Sequence, residues 1–194
     1  GFSYDTLGRR SPATGTPWVY NANGAVLNTG AETFGYDADG NRISKTVNGV
    51  TTHYFYDTED RLLKIEQPLG TVVATYEYDA FNRRISKTVG SGVSAVKTYF
   101  HYTEDGLSAE LDSRGQVLRR YHFAPDGMWG TNPLAIEQSG NLYQYHNDHL
   151  GTPQQMRDGG GGLAWEGRYR AFGKVSVVGG GGGASGVVNN LRFP

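Results

Sequence analysis

The chain has no cysteine, which excludes disulfides, thiolate metal sites and cysteine nucleophiles. No apolar run approaches the roughly 20 residues that cross a bilayer as a helix. The opening residues, Gly1-Phe2-Ser3-Tyr4-Asp5, have neither the basic nor the apolar stretch of a secretory signal. Neither sign of charge is in excess: 18 basic residues against 19 acidic ones leave a formal net charge of −1. That balance gives no general attraction to nucleic acid or to an anionic membrane, and the arginines are scattered, not gathered into a run. The sequence also lacks a Gly-x-Ser-x-Gly elbow, a phosphate loop and a dinucleotide fingerprint.

Glycine and aromatic residues are plentiful. The 194 residues include 29 glycines, and aromatics make up 12%; this suits short strands joined by tight turns and suits a helical bundle badly. The aromatics are ordered. Six pairs, each two positions apart, recur along the chain: Phe34/Tyr36, Tyr54/Tyr56, Tyr76/Tyr78, Phe100/Tyr102, Tyr121/Phe123 and Tyr143/Tyr145. At the second member the steps are 20, 22, 24, 21 and 22 residues. A spacing of two puts both rings on one face of a strand, and the longer period marks one small unit copied many times. The chain opens inside such a unit, so it reads as a piece of a longer polypeptide.

The clearest copies start at Tyr36 and Tyr78, where nine of twelve positions are identical without a gap. Each unit reads as a hairpin. Tyr-Asp closes a strand, and a turn of Asp, Gly and Asn follows. Arg42-Ile43-Ser44-Lys45-Thr46-Val47 then alternates, with Ile43 and Val47 predicted on one face. Asn48-Gly49 is the strongest two-residue hairpin signal available. Leu69-Gly70, Gly90-Ser91-Gly92, Arg114-Gly115 and Ser139-Gly140 repeat the plan with weaker turns. A lone hairpin cannot bury a face. Stacked hairpins bring each ring pair to the next, and each cross-strand aromatic contact contributes about 0.2–1 kcal/mol. The predicted fold class is all-β, built of stacked antiparallel hairpins.

The Tyr-Asp units resemble the YD repeats of the Rhs family. Tyr145-His146-Asn147-Asp148-His149-Leu150-Gly151-Thr152-Pro153 is similar to that family's conserved-core segment, as are Trp165, Tyr169, Ala171-Phe172-Gly173 and Asn190-Leu191-Arg192-Phe193-Pro194. The resemblance covers nearly the whole chain and divides it into a repeat array, 1–145, and a conserved-core segment, 146–194. It implies a spiralling sheet that closes as a hollow cocoon, as in bacterial polymorphic toxins, the C components of insecticidal Tc toxins and teneurins. In the bacterial members the shell encloses a C-terminal toxin domain of the same polypeptide, and an aspartyl autoprotease beyond the Leu-Arg-Phe-Pro string releases it. The expected role is therefore structural, not enzymatic, and needs no cofactor. The flavour of the core segment points to a type VI secretion effector used in interbacterial competition. Such a protein is made in the bacterial cytoplasm and then secreted or injected, with secretion-apparatus components and an immunity protein as further partners. The other reading is an extracellular repeat module that recognises glycan or a cell-surface receptor. Gly159–Gly162 and Gly179–Gly183 depart from the family pattern and read either as flexible low-complexity linkers or as placeholders for residues of unestablished identity.

Residues of catalytic type are few. His146, Asp148 and His149 form the one dense group that could ligate a metal or act as a base pair, yet they stand where other units carry a plain turn. Asp57, Glu59 and Asp60, like Glu104 and Asp105, lack the spacing of a calcium loop and read as solvated turns. Trp18, Trp129 and Trp165 could line a sugar site, but rings at strand spacing more often pack. Ser185 has no motif around it. No catalytic, cofactor or metal residue is assigned, and the twelve paired rings are the predicted structural ladder.

Overall fold

The computed structural model describes residues 1–12, 14–125, 129–170, 174–179 and 186–191. The expected Ala171-Phe172-Gly173 and Arg192-Phe193-Pro194 matches, Ser185 and Gly180–Gly183 lie outside them. The chain divides into two compact units, Gly1–Lys97 and Thr98–Pro194. The first carries β1 (Phe2–Tyr4), β2 (Arg10–Pro12), β3 (Val19–Tyr20), β4 (Val26–Asn28), β5 (Glu32–Tyr36), β6 (Arg42–Val47), β7 (Val50–Tyr56), β8 (Leu62–Gln67), β9 (Thr71–Tyr78) and β10 (Arg84–Val89). In the second are β11 (Val96–Thr103), whose first two residues belong to the first unit, β12 (Gly106–Leu111), β13 (Val117–Phe123) and β14 (Pro133–Gln138). These are followed by β15 (Asn141–Asn147), β16 (Pro153–Arg157), β17 (Leu163–Tyr169) and β18 (Val175–Gly179). β1 pairs with β2, and β3 to β10 pair antiparallel in sequence order; β11 to β18 do the same. The copied hairpins thus form the all-β, antiparallel fold that their sequence predicts.

Among the described residues one turn recurs eight times, headed by Asp5, Asn21, Asp37, Asp57, Asp79, Asp112, Asp148 and Asp158. In each, the head amide donates to the carbonyl four residues on, and the amide three residues on donates to the head carbonyl. The head's Oδ1 also accepts from the amides two and four residues on. A short side chain with an acceptor oxygen is what this loop needs, hence Asp or Asn. The fourth residue has positive φ throughout: Gly in six copies, Asp60 and Asn82 in the others, the residue types that tolerate that backbone. Gly159–Gly162 is therefore not a slack linker. It fills the four positions after Asp158 in this same hydrogen-bonded turn.

A bulge follows the turn. Tyr36 pairs with Arg42 and Gly35 with Ser44, so Ile43 is the extra residue; Leu63 and Ile85 are its counterparts. The bulge overturns the alternation expected for β6. Val47 pairs with Glu32 on the ring-bearing face. Ile43 instead turns to the opposite face, its Cγ1 3.8 Å from where a Gly35 Cβ would stand. One inserted residue flips the side-chain phase. Ile43, Leu63 and Ile85 are left about two-fifths exposed.

The core sits in the second unit. Tyr121, Ile136, Tyr143, Tyr145, Met156, Ala164, Trp165 and Val187 form one buried cluster, with Leu107, Phe123 and Leu191 packed against it. Val187 and Leu191 come from a non-strand strap, residues 186–191, laid over the sheet.

Candidate functional site: the ring-bearing face and its buried carboxylate

Register places the predicted rings unit by unit. In the first, Phe34 pairs with Lys45, Lys45 with Thr52, Tyr54 with Ile65 and Ile65 with Ala74. Side chains two apart share a face, so Phe34, Tyr36, Tyr54, Tyr56, Tyr76 and Tyr78 all lie on one face. In the second, Phe100 pairs with Glu110, Glu110 with Arg119, Tyr121 with Ile136 and Ile136 with Tyr143. Phe100, Tyr102, Tyr121, Phe123, Tyr143 and Tyr145 likewise share one face.

Each ring pair occupies every second strand, so successive pairs are separated by about 10 Å, two strand spacings. In the first unit cations fill part of that gap. The Arg42 guanidinium lies 5.9 Å from the Phe34 ring centre and 4.8 Å from that of Tyr54. Lys45 lies 5.7 Å from Phe34 and is paired with Glu32 at 2.8 Å. Arg61 and Arg84 stand over Tyr78 and Tyr76. The contact between neighbouring pairs expected from sequence is thus bridged between Phe34 and Tyr54 by Arg42, which the intervening strand β6 presents, while Lys45, Arg61 and Arg84 each cover a single ring.

The turn tyrosines also have a polar task. Tyr36, Tyr56 and Tyr78 donate their hydroxyls to the carbonyls of Val26, Arg42 and Leu62, at 3.0, 3.2 and 3.0 Å. Tyr20 makes the same bond to Arg10. Each accepting carbonyl is five residues past the previous turn's head, so every tyrosine hooks onto the preceding turn. Tyr20-Asn21 is thus a divergent copy of Tyr-Asp, signalled in the sequence by the Asn21-Ala22-Asn23-Gly24 turn behind a ring.

Four turn carboxyls, those of Asp5, Asp57, Asp79 and Asp148, titrate low. At Asp5 the Arg9 amide is the largest influence, joined by the Arg9 guanidinium and the Leu7 amide, and the carboxyl lies below its usual value. At Asp57 and Asp79 desolvation pushes the other way. Hydrogen bonds from the amide and guanidinium of the residue four on outweigh it and leave both carboxyls lowered. Asp148 is lowered chiefly by the Thr152 amide.

That settles the histidine corner's geometry. Asp148 spends Oδ1 on the Leu150 and Thr152 amides, each at 2.9 Å, and Oδ2 on Gln154 at 3.1 Å. Asn147 bonds Asn132 and Pro133, while His146 and His149 are exposed. Asp57 and Asp60 sit in a turn, as does Glu59, and Asp105 accepts the Gly130 amide through its carbonyl. Among the described residues no group of three or more His, Asp or Glu is placed to hold a metal. The tryptophans are each engaged locally: Trp165 is core, Trp129 stacks on Tyr102 at 5.8 Å, and Trp18 lies under Arg10.

The most unusual group went unnoticed in the sequence. Glu110 is 2% exposed on the ring-bearing face of the second unit. It pairs with Arg119 and accepts Tyr121 Oη at 2.7 Å. Both its oxygens also accept from Asn190 Nδ2 on the strap, at 2.9 and 3.1 Å. Burial first, and the adjacent Glu110 charge second, push the Tyr121 hydroxyl well above its ordinary range. Nothing in the run Ala109-Glu110-Leu111 signals this; only register sets Glu110 opposite Phe100 and Arg119.

Family comparisons agree with the repeat geometry. The family described as RHS Repeat matches residues 36–72 and 56–94, and that described as RHS protein matches residues 142–178. The chain belongs to the RHS repeat family. Among its curated relatives is the tRNA nuclease WapA of Bacillus subtilis, 32% identical over 155 residues, which are 74% of this chain and 6% of that protein. Another is the double-stranded DNA deaminase toxin A of Burkholderia cenocepacia, 28% identical over 192 residues, 82% of this chain and 13% of that protein. This RHS chain therefore spans only a small fraction of the relatives it matches. Among solved structures, the Photorhabdus luminescens Tc holotoxin pore aligns with 99% of the RHS chain and 15% of its own, at TM-score 0.38 and 12% identity. The TcdB2–TccC3 structure without its hypervariable C-terminal region aligns with 90% and 14%, at TM-score 0.31 and 13% identity.

Proposed function

We propose that this RHS chain is a stretch of wall in a toxin shell that encloses a toxin domain carried by the same polypeptide. In this reading 1–145 is the repeat array, 146–194 the conserved-core segment, and the twelve rings are structural. The observation that carries it is the copied unit: the turn head recurs in both units, joined in the first by the hooked tyrosine and the bulge, so the architecture extends by repetition. Relatives named as a tRNA nuclease and as a double-stranded DNA deaminase toxin, each far longer than this chain, support it. Secretion machinery, an immunity protein and delivery into a competing cell go with the same reading.

The test uses the full-length protein. Its C-terminal domain should co-purify with the repeat region and resist added protease until the repeats are unfolded, and the repeat region alone should not be toxic. A C-terminal domain cleaved as fast within the intact protein as when free would refute the wall. The alternative, a glycan-binding module, needs open ring faces. The Arg42 guanidinium already lies over Tyr54, which places that reading second; saturable binding on a glycan array would reverse the order.

A further inference from the structure

The strap 186–191 is held by more than apolar cover. Val187 and Leu191 supply the apolar contacts. Gln138 reads the strap backbone from both sides of one residue: its Nε2 donates to the Gly186 carbonyl at 3.2 Å, and its Oε1 accepts the Val188 amide at 3.1 Å. Two adjacent asparagines are then read by side chain. Tyr145 donates its hydroxyl to Asn189 Oδ1 at 3.1 Å, and that oxygen also accepts the Leu191 amide at 3.0 Å. Asn190 Nδ2 spans both oxygens of Glu110, which Arg119 and Tyr121 hold in place.

These polar groups are costly to bury. Asn189 is 1% exposed and its Nδ2 has no hydrogen-bond partner among the described residues, where an aliphatic side chain would bury without an orphaned donor. Satisfied polar networks in a core confer uniqueness more than stability, and a site built around a polar group rejects the analogue that lacks it. An apolar lid would need only positions 187 and 191, and could slide. A carboxylate opposite an amide donor, a hydroxyl opposite an amide oxygen and a glutamine astride the backbone together admit one register.

We propose that the ring-bearing face of β12–β15 is an extended-peptide recognition groove keyed to Val187-x-Asn189-Asn190-Leu191. Its occupant is this chain's own strap, and its role is to fix the register at which the chain crosses that face. Glu110 and Tyr145 are its reading residues, with Arg119 and Tyr121 positioning Glu110. The proposal rests on this face alone and does not depend on the wall reading.

Native-state hydrogen exchange on the full chain tests it, read at the Val188 and Leu191 amides against the β14–β15 ladder amides. Asn190→Asp sets a carboxylate against Glu110. Exchange at Val188 and Leu191 should then rise at least tenfold, with ladder amides changed less than twofold. Adding Glu110→Gln in the same chain supplies an amide donor to the new carboxylate and should restore most of the protection; Glu110→Gln alone controls for folding. If Asn190→Asp and Asn190→Ala leave both strap amides within twofold of the parent while Val187→Ala exposes them, the strap is an apolar lid and the proposal fails. Failure of the double variant to recover protection would overturn the pairing of Asn190 with Glu110.

Discussion

Replacing Gly167 with alanine tests how tightly the ring-bearing face is packed. Gly167 lies in β17, two residues from Trp165, and the indole lies across it. A Cβ at 167 would overlap Trp165 Cη2 and stand 3.0 Å from both Trp165 Cζ2 and Val175 Cγ2. The indole has little room to retreat: Trp165 is 2% exposed, pairs with the fully buried Met156 and belongs to the same cluster as Tyr145 and Val187. Overpacking a filled core costs about 1–3 kcal/mol. The overlap with Trp165 Cη2 puts the cost in the upper half of that range, and alanine recovers about 0.4–1 kcal/mol by restricting the unfolded chain, so Gly167→Ala should destabilise by about 1–2.5 kcal/mol. In a Trp165→Phe background the two clashing indole atoms are gone. There the same change should be neutral or mildly stabilising, giving a coupling of about 1–2 kcal/mol between the sites. Hydrogen exchange at β16–β18 amides measures this in the second unit by itself. An equal loss in both backgrounds would refute the steric account, as would a neutral Gly167→Ala in the parent.

Other tests address the repeat unit and the buried acid. Tyr36→Phe, Tyr56→Phe and Tyr78→Phe each remove one hook and should each cost about 0.5–1.5 kcal/mol in urea unfolding; three silent variants would make the hooks incidental. Asp5, Asp57, Asp79 and Asp148 titrate below 3.8 in the fold. The unfolded chain therefore takes up protons first as pH falls, so their contribution is complete above about pH 4 and is lost as pH drops through the native values. Asp57→Asn keeps the turn acceptor, as Asn21 does naturally, and should flatten that acid arm; an unchanged pH profile would remove Asp57 from the account. Glu110→Ala leaves the mostly buried Arg119 uncompensated and should cost about 3–5 kcal/mol. Glu110→Gln should cost clearly less, and equal losses would show that charge is not what matters there.

The copied turn explains why so much was readable in advance. Tyr36-Asp37 and Tyr78-Asp79 announce a strand end, an acceptor for two amides and a hydroxyl donor within a few residues, all local interactions that propensity captures. Asn48 and Gly49 carry the positive φ values their residue types predict, and Ser139-Gly140 adopts the same geometry with a less favoured first residue. Beyond a few residues the reading failed where phase or partner mattered. Ile43 fits the apolar alternation of β6, but a one-residue bulge, invisible in the alternation itself, moves it to the other face. The glycines after Asp158 look like a linker by composition, yet a single carboxylate orders them, as an Asp or Asn side chain orders each of the other turns described.

The amino-acid order alone determined the repeat, the hairpin, the strand-rich class and the shared face of the paired rings, because each follows from contacts within about twenty residues and from a side-chain period of two. Tertiary structure alone decided which rings are buried, that cations stand between pairs in the first unit, and that Glu110 meets Asn190 from eighty residues away. Those outcomes depend on register and on where a distant strap comes to rest, and no local preference encodes either.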